Sequence, residues 1–193
     1  METITIKRKE FEIISKMGEH SFKVTRHGKV YFLKKYEDKK SFEDFIDRQH
    51  ILKNSAVEIP HPYLFDKSQF ILVVDFIEGE TMLDYLVKKS IDEEVIYELL
   101  FRTEFFARHD KMILDFKPEN FKFTGKKLIY LPFTYKKFDP KYSFVTTDLR
   151  LWFITKELAS YIEGKGIEFD HTRIGNEYAT NKEMALMAVK YYQ

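Results

Sequence analysis

Apolar and polar residues alternate along the first third of the chain, then give way to helical spacing. Phe11–Ile13 and Ile14–Met17 read as strand leading into Gly18, and Phe22–Val24 follows. His27-Gly28 is a hairpin turn signal. Beyond it Val30, Phe32 and Lys34 fall on one strand face, and Tyr31, Leu33 and Lys35 on the other. Asp38–Lys40 ends this meander. Ser41-Phe42-Glu43-Asp44 has capping-box spacing and is expected to open a helix carrying Phe42, Phe45, Ile46, Ile51 and Leu52. Ile59-Pro60-His61-Pro62 is held extended by its prolines. Phe70–Val74 is a continuous apolar run of buried-strand type.

The pattern changes after Glu78-Gly79. Ser90-Ile91-Asp92-Glu93 is a second capping box, expected to open a long helix with Ile96, Leu99, Leu100, Thr103, Phe106 and Ala107 on one face. Phe121–Phe123 and Leu128–Leu131 flank the Gly125 turn as a short hairpin. Helices are expected at about 148–162 and 182–192. The last carries Met184, Met187, Val189, Tyr191 and Tyr192, a stripe of the kind that usually packs in a core. The order is mostly strands with one helix, then mostly helices with one hairpin. That is an α+β pattern, with a β-rich part over 1–76 and a mainly helical part over 77–193.

Composition narrows the chemistry. Hydrophobic residues make up 44% of the 193 and aromatics 17%, enough for a packed core. Net charge is +1, from 32 basic and 31 acidic residues, so the whole chain gives no nucleic-acid signal. No cysteine is present, which removes disulfides, thiolate zinc sites and cysteine nucleophiles. The six histidines are scattered, none at metal-ligand spacing. No apolar run approaches membrane-spanning length, and a soluble cytoplasmic protein without a membrane part is the expectation.

One segment carries chemistry. Leu114-Asp115-Phe116-Lys117-Pro118-Glu119-Asn120 resembles the catalytic loop of Ser/Thr protein kinases, which reads His-Arg-Asp-x-Lys-x-x-Asn. It follows the long helix and precedes the hairpin, as in that family. The resemblance implies a two-lobed protein-kinase-like fold with a truncated helical C-lobe. It implies that Asp115 orients a substrate hydroxyl and accepts its proton. Lys117 would neutralise the transferring phosphoryl group, and Asn120 would ligate magnesium. Val73–Gly79 resembles the adenine-binding hinge, with Val74 as gatekeeper and Asp75 and Ile77 as backbone contacts. Tyr31-Phe32-Leu33-Lys34 resembles the strand whose lysine pairs phosphates. Lys34 is favoured for that role, and Lys35 takes it if the register slips by one. Asp148 resembles the aspartate that braces the catalytic loop. The compact size and Val57–Pro62 are similar to RIO-type kinases and to the small kinase of the KEOPS complex. The resemblance spans about 10–160.

The departures are as informative. Gly18-Glu19-His20-Ser21-Phe22 keeps one glycine where the family uses three to approach phosphate. Arg48 stands where a glutamate would pair the strand lysine, with Asp47 turned away by a helical step. Ile113-Leu114 replaces His-Arg. Pro132 stands in place of the metal-binding aspartate, and Asp139, the nearest later carboxylate, reads better as a turn residue before Pro140. Phe32 and Lys122 stand where the family keeps small and apolar residues against adenine. Losing one donor to developing charge costs about 3 kcal/mol, and these losses fall on independent steps. The expectation is a pseudokinase with weak or absent ATP binding, serving as a binding or scaffolding module for a protein partner. The alternatives are an active atypical Ser/Thr kinase using ATP and magnesium, and a small-molecule kinase of the aminoglycoside or choline type. The cofactor is accordingly ATP with magnesium, or none.

Overall fold

The computed structural model describes residues 2–192. The chain forms two compact units. One runs to Leu52 and resumes over Ile59–Glu78; the other takes Lys53–Glu58 and everything from Gly79 onward. The fold is mixed α+β, with a curled antiparallel sheet.

The first unit is built on six strands: β1 (Thr3–Ile6), β2 (Lys9–Gly18), β3 (Ser21–Arg26), β4 (Lys29–Lys35), β5 (Pro62–Asp66) and β6 (Ile71–Asp75). They lie in the order β1-β2-β3-β4-β6-β5, every pair antiparallel. Register follows the period-two pattern. Val24 pairs Tyr31, Phe22 pairs Leu33, and Leu33 pairs Val73, so all of these face one side. With Ile6, Phe11 and Ile71 they form the core inside the curl. His27 and Gly28 both take positive φ, 51° and 75°, as the twist of a two-residue hairpin requires. β1 and β5 are strands that the sequence pattern did not announce.

Helix α1 (Lys39–Asn54) connects β4 to β5. It begins two residues before the expected box. Asp38 is its cap, accepting from the Ser41 backbone N–H at 2.9 Å and the Ser41 hydroxyl at 2.7 Å. Ser41 therefore donates rather than caps. Phe42, Phe45, Gln49 and Leu52 are buried, whereas Ile51 is exposed. Phe42 and Phe45 pack on Tyr36, at 5.7 and 5.3 Å between ring centroids.

The second unit holds α2 (Met82–Lys88), α3 (Glu94–His109), β7 (Met112–Ile113), β8 (Phe121–Phe123), β9 (Leu128–Tyr130), β10 (Lys136–Lys137), α4 (Phe144–Thr147), α5 (Lys156–Glu163) and α6 (Glu177–Tyr192). Thr81 and Asp84 close a full capping box at α2, a helix absent from the sequence expectation. Arg173 donates to the carbonyls of Leu86 and Val87 near the end of α2, satisfying groups that the helix leaves open. The Ser90 box does not form. Asp92 is engaged by the Tyr85 hydroxyl at 2.8 Å, and α3 starts at Glu94 without a side-chain cap. The single helix expected over 148–162 is broken. A 3-10 turn covers Leu149–Trp152, and α5 restarts with Thr155 as cap, accepting from Leu158 N–H at 3.1 Å.

Aromatic rings make the core of this unit continuous. Phe116 stacks on Phe121 at 5.6 Å and meets Phe144 at 4.7 Å, and Phe121 packs on Tyr130 and Trp152 at 5.1 and 5.4 Å. Helix α6 docks by its middle and its C-terminal end: Met184 is buried, and Tyr191 and Tyr192 lie against Phe101. The Tyr192 hydroxyl donates to the buried Glu104 at 2.7 Å. Burial pushes the Glu104 carboxyl up, with Tyr192 and Arg108 opposing. Val189 lies exposed, so the expected apolar stripe is only partly core. Among the described residues no helix is long and apolar enough to cross a membrane.

Candidate functional site

Residues 114–117 form no helix or strand, and burial alternates from Leu114 to Pro118. Leu114, Phe116 and Pro118 are buried, while Asp115 and Lys117 point outward. Burial of Phe116 in the aromatic core thus fixes which way Asp115 and Lys117 face. The backbone is fastened as well. Trp152 Nε1 donates to the Phe116 carbonyl at 2.8 Å. The Asp115 N–H donates to the Tyr130 hydroxyl at 3.2 Å, and that hydroxyl donates on to the Thr134 carbonyl at 2.8 Å. A 3-10 turn over Pro118–Asn120 then leads into β8.

The outward groups bond to one another. Lys117 Nζ donates to Asp115 Oδ2 at 3.2 Å. Asn120 Nδ2 donates to the Asp115 carbonyl at 3.0 Å, and the Asn120 carbonyl accepts from Leu131 N–H at 2.8 Å. Glu119 receives the Tyr161 hydroxyl and Lys165 Nζ on the same oxygen, Lys165 at 2.8 Å. Its other oxygen is buried without a partner among the described residues. Burial pushes the Glu119 carboxyl up, yet the Lys165 and Tyr161 hydrogen bonds outweigh it and hold the group below its ordinary value.

Asp148 stands electrostatically close to this loop. Its Oδ2 accepts from the Tyr142 hydroxyl at 2.5 Å. Burial raises its pKa, and the charge of Asp115 raises it further; Tyr142, Lys117 and Lys136 offset only part of this. Tyr142 is itself raised, chiefly by burial and then by Asp148.

No protein-family model matches the chain, and no curated protein matches it. The site therefore stands on its own geometry.

The other predicted residues lie in the first unit. Register puts the two lysines on opposite faces of the sheet. Lys34 pairs Leu72 and shares its face with Phe32 and Val74, whereas Lys35 pairs Ile71 on the face of the sealed core. Lys34 Nζ lies 5.0 Å from the Tyr36 ring centroid and meets no carboxylate among the described residues. Arg48 and Asp47 are exposed, and the buried polar residue on α1 is Gln49, whose Nε2 has no partner among the described residues. Val74 is buried and Ile77 half-buried. Asp75 forms an ion pair with Lys29 at 2.8 Å. The N–H groups of Asp75 and Phe76 are already used, donating to the carbonyls of His61 and Val30. The glycine-poor turn is a two-residue hairpin at Glu19-His20, tied down by the Lys35 N–H to the His20 carbonyl at 2.9 Å.

The donor set around Asn120 does not fit a magnesium ion, which wants six oxygens with near-octahedral geometry and usually one or two carboxylates. Pro132 brings no side-chain oxygen. Asp139 caps its own turn, accepting from Lys141 N–H at 2.9 Å. Among the described residues no three histidine or carboxylate side chains gather in a way that could hold a metal. Sequence reading missed the Trp152 latch, the Tyr130 bridge and the Glu119–Tyr161–Lys165 cluster. The alternation of Leu114, Phe116 and Pro118 with Asp115 and Lys117 was the available signal for how the loop is anchored.

Proposed function

We propose that the chain is a protein-kinase-like module whose catalytic-type loop serves structure and recognition rather than phosphoryl transfer, and that it acts by binding a protein partner. The observation that carries this reading is the mutual pairing of the loop's polar groups. Asp115 is paired with Lys117, Asn120 is bonded to the Asp115 carbonyl, and Glu119 is held by Tyr161 and Lys165. Phosphoryl transfer needs positioned groups and metal ions that neutralise developing charge together, and the donor set here lacks the second metal ligand. The strand order β1-β2-β3-β4-β6-β5, with α1 between β4 and β5, supports the kinase-like part of the reading. The test is thermal unfolding with and without ATP, with magnesium and then with manganese. The expected result is no shift. A ligand at about 100 times its Kd stabilises by about 2.7 kcal/mol, so a clear rise in Tm overturns the non-binding form of the proposal.

A second reading keeps one specific observation in its favour. The side chains of Asp115 and Lys117 retain 44% and 46% of their exposure, so both can meet a substrate. An active atypical Ser/Thr kinase then transfers phosphate from ATP to a hydroxyl, and the transfer disappears in Asp115→Ala.

A further inference from the structure

Two cations and a phenol meet at one end of the curled sheet with no carboxylate to pair them among the described residues. Lys9 opens β2, Arg26 ends β3 and Tyr63 sits at the start of β5. The antiparallel register brings these strand ends to the same side. Tyr63 Oη accepts from Lys9 Nζ at 3.2 Å and from Arg26 Nη1 at 3.1 Å. Lys9 and Arg26 are both half-buried, and neither meets a carboxylate among the described residues. The Tyr63 hydroxyl, having accepted twice, keeps its own proton to donate, and no acceptor for it lies among the described residues.

The arrangement is held in place from below. The Tyr63 ring packs on Tyr31 at 4.6 Å and edge-on to Phe11 at 6.3 Å, and both of those residues belong to the sealed core. Lys9 Nζ also lies 4.6 Å from the centre of the Tyr63 ring. Alternation along β2 turns Glu10 and Glu12 to the opposite face from Lys9. Asp75, opposite Tyr31 on the inner face, is paired with Lys29 at 2.8 Å. Two cations near one phenol oxygen repel each other, and partial burial weakens the water that would screen them. A site of this kind is completed by an anion with several acceptor oxygens. The Tyr63 phenol is accordingly held below its ordinary pKa, first by the Lys9 hydrogen bond, with burial opposing.

We infer that Lys9, Arg26 and Tyr63 form a phosphate-binding site. The guanidinium of Arg26 would grip two phosphate oxygens, Lys9 would supply a point charge, and the Tyr63 hydroxyl would donate to the third oxygen. Lys7 and Arg8 occupy the left-handed turn leading into β2, with φ of 47° and 65°, and add positive charge at that end. The site lies wholly within the first unit and is independent of any phosphoryl transfer at Asp115.

The test is calorimetric titration of the full chain with inorganic phosphate. It is repeated on Arg26→Gln, Tyr63→Phe and, as a control on the same sheet, Lys16→Gln. Tyr63→Phe keeps the ring and so the packing, and near-ultraviolet circular dichroism confirms that each variant is folded. Saturable binding is expected. It should weaken at least ~10-fold in Arg26→Gln and several-fold in Tyr63→Phe, with no change in Lys16→Gln; loss of a charged hydrogen bond has effects of that order. No binding at millimolar phosphate overturns the proposal. So does an equal loss in Lys16→Gln, which would mean diffuse attraction to a basic surface. Competition by a nucleoside monophosphate assigns the phosphate to a small ester. Competition only by a single-stranded oligonucleotide assigns it to a nucleic-acid backbone. Competition by neither overturns the site as a ligand site.

Discussion

The loop around Asp115 and the strand ends around Tyr63 are opposite solutions to the placement of charge. At the loop, cations meet anions: Lys117 has Asp115, and Lys165 has Glu119. At the strand ends, Lys9 and Arg26 share one neutral oxygen. The loop carries the motif that draws the eye in the sequence, while the strand ends carry none. Chemical readiness follows the second difference. A group paired with an opposite charge must break that pair to meet a ligand, whereas cations that share only a neutral oxygen gain by meeting an anion. The partner of each polar group shows how readily it can turn to a ligand.

The largest test of this contrast lies under the loop. Phe116 is buried among Phe121, Phe144 and the Trp152 side of the core, and it sets the outward direction of Asp115 and Lys117. Phe116→Ala should destabilise by about 3–5 kcal/mol, the usual cost of deleting a core ring. Urea unfolding measures it as a lower midpoint at unchanged slope. A cost below about 1 kcal/mol would mean the loop is held by its surface bonds, and the contrast between anchored loop and open strand ends would fail.

A smaller effect comes from Asp148, and it appears in pH rather than in the midpoint at one condition. Its folded-state pKa is raised, first by burial and then by Asp115. A raised carboxyl favours the protonated folded form. Its contribution to stability is complete below the unfolded value of about 3.9 and is lost as pH rises through the folded value. Asp148→Asn keeps an oxygen for the Tyr142 hydroxyl and removes the titration. The variant should therefore lose stability less steeply than the wild type as pH climbs from about 4, read from urea midpoints across pH. An unchanged slope would mean that burial does not raise the Asp148 carboxyl in the folded protein.

Much of this was legible in the sequence, for reasons that differ from place to place. The strands β2, β3, β4 and β6 were visible because one buried face imposes a period of two, and His27-Gly28 because few residues adopt left-handed backbone. Helix starts were misplaced where a side chain could serve two partners. Asp38 capped α1 in place of Ser41, and Glu93, expected inside the first turn to close the Ser90 box, instead precedes α3 without a side-chain cap. Helix α2 was missed because Thr81 and Asp84 follow directly on the Gly79 break. The break at Thr155 depends on tertiary contacts, since the Trp152 indole reaches back 36 residues to the Phe116 carbonyl. For the same reason the cluster at Tyr63 left no local signal. Lys9 and Tyr63 lie 54 residues apart, and only the strand order brings them together.

The smallest expected effect is also the most direct probe of the loop's present role. Lys117 and Asp115 are each close to half exposed, so water and salt screen their attraction. Pairs of this kind contribute about 0–1 kcal/mol. Lys117→Ala, Asp115→Ala and the double variant form a cycle whose coupling energy isolates the pair. A coupling below about 1 kcal/mol that shrinks further in high salt is the expected result. It would mean that the pair restrains the loop only weakly and that Phe116, Trp152 and Tyr130 hold it. A larger coupling would assign Asp115 and Lys117 to the architecture itself. The contrast with the two cations that share the Tyr63 oxygen would then sharpen.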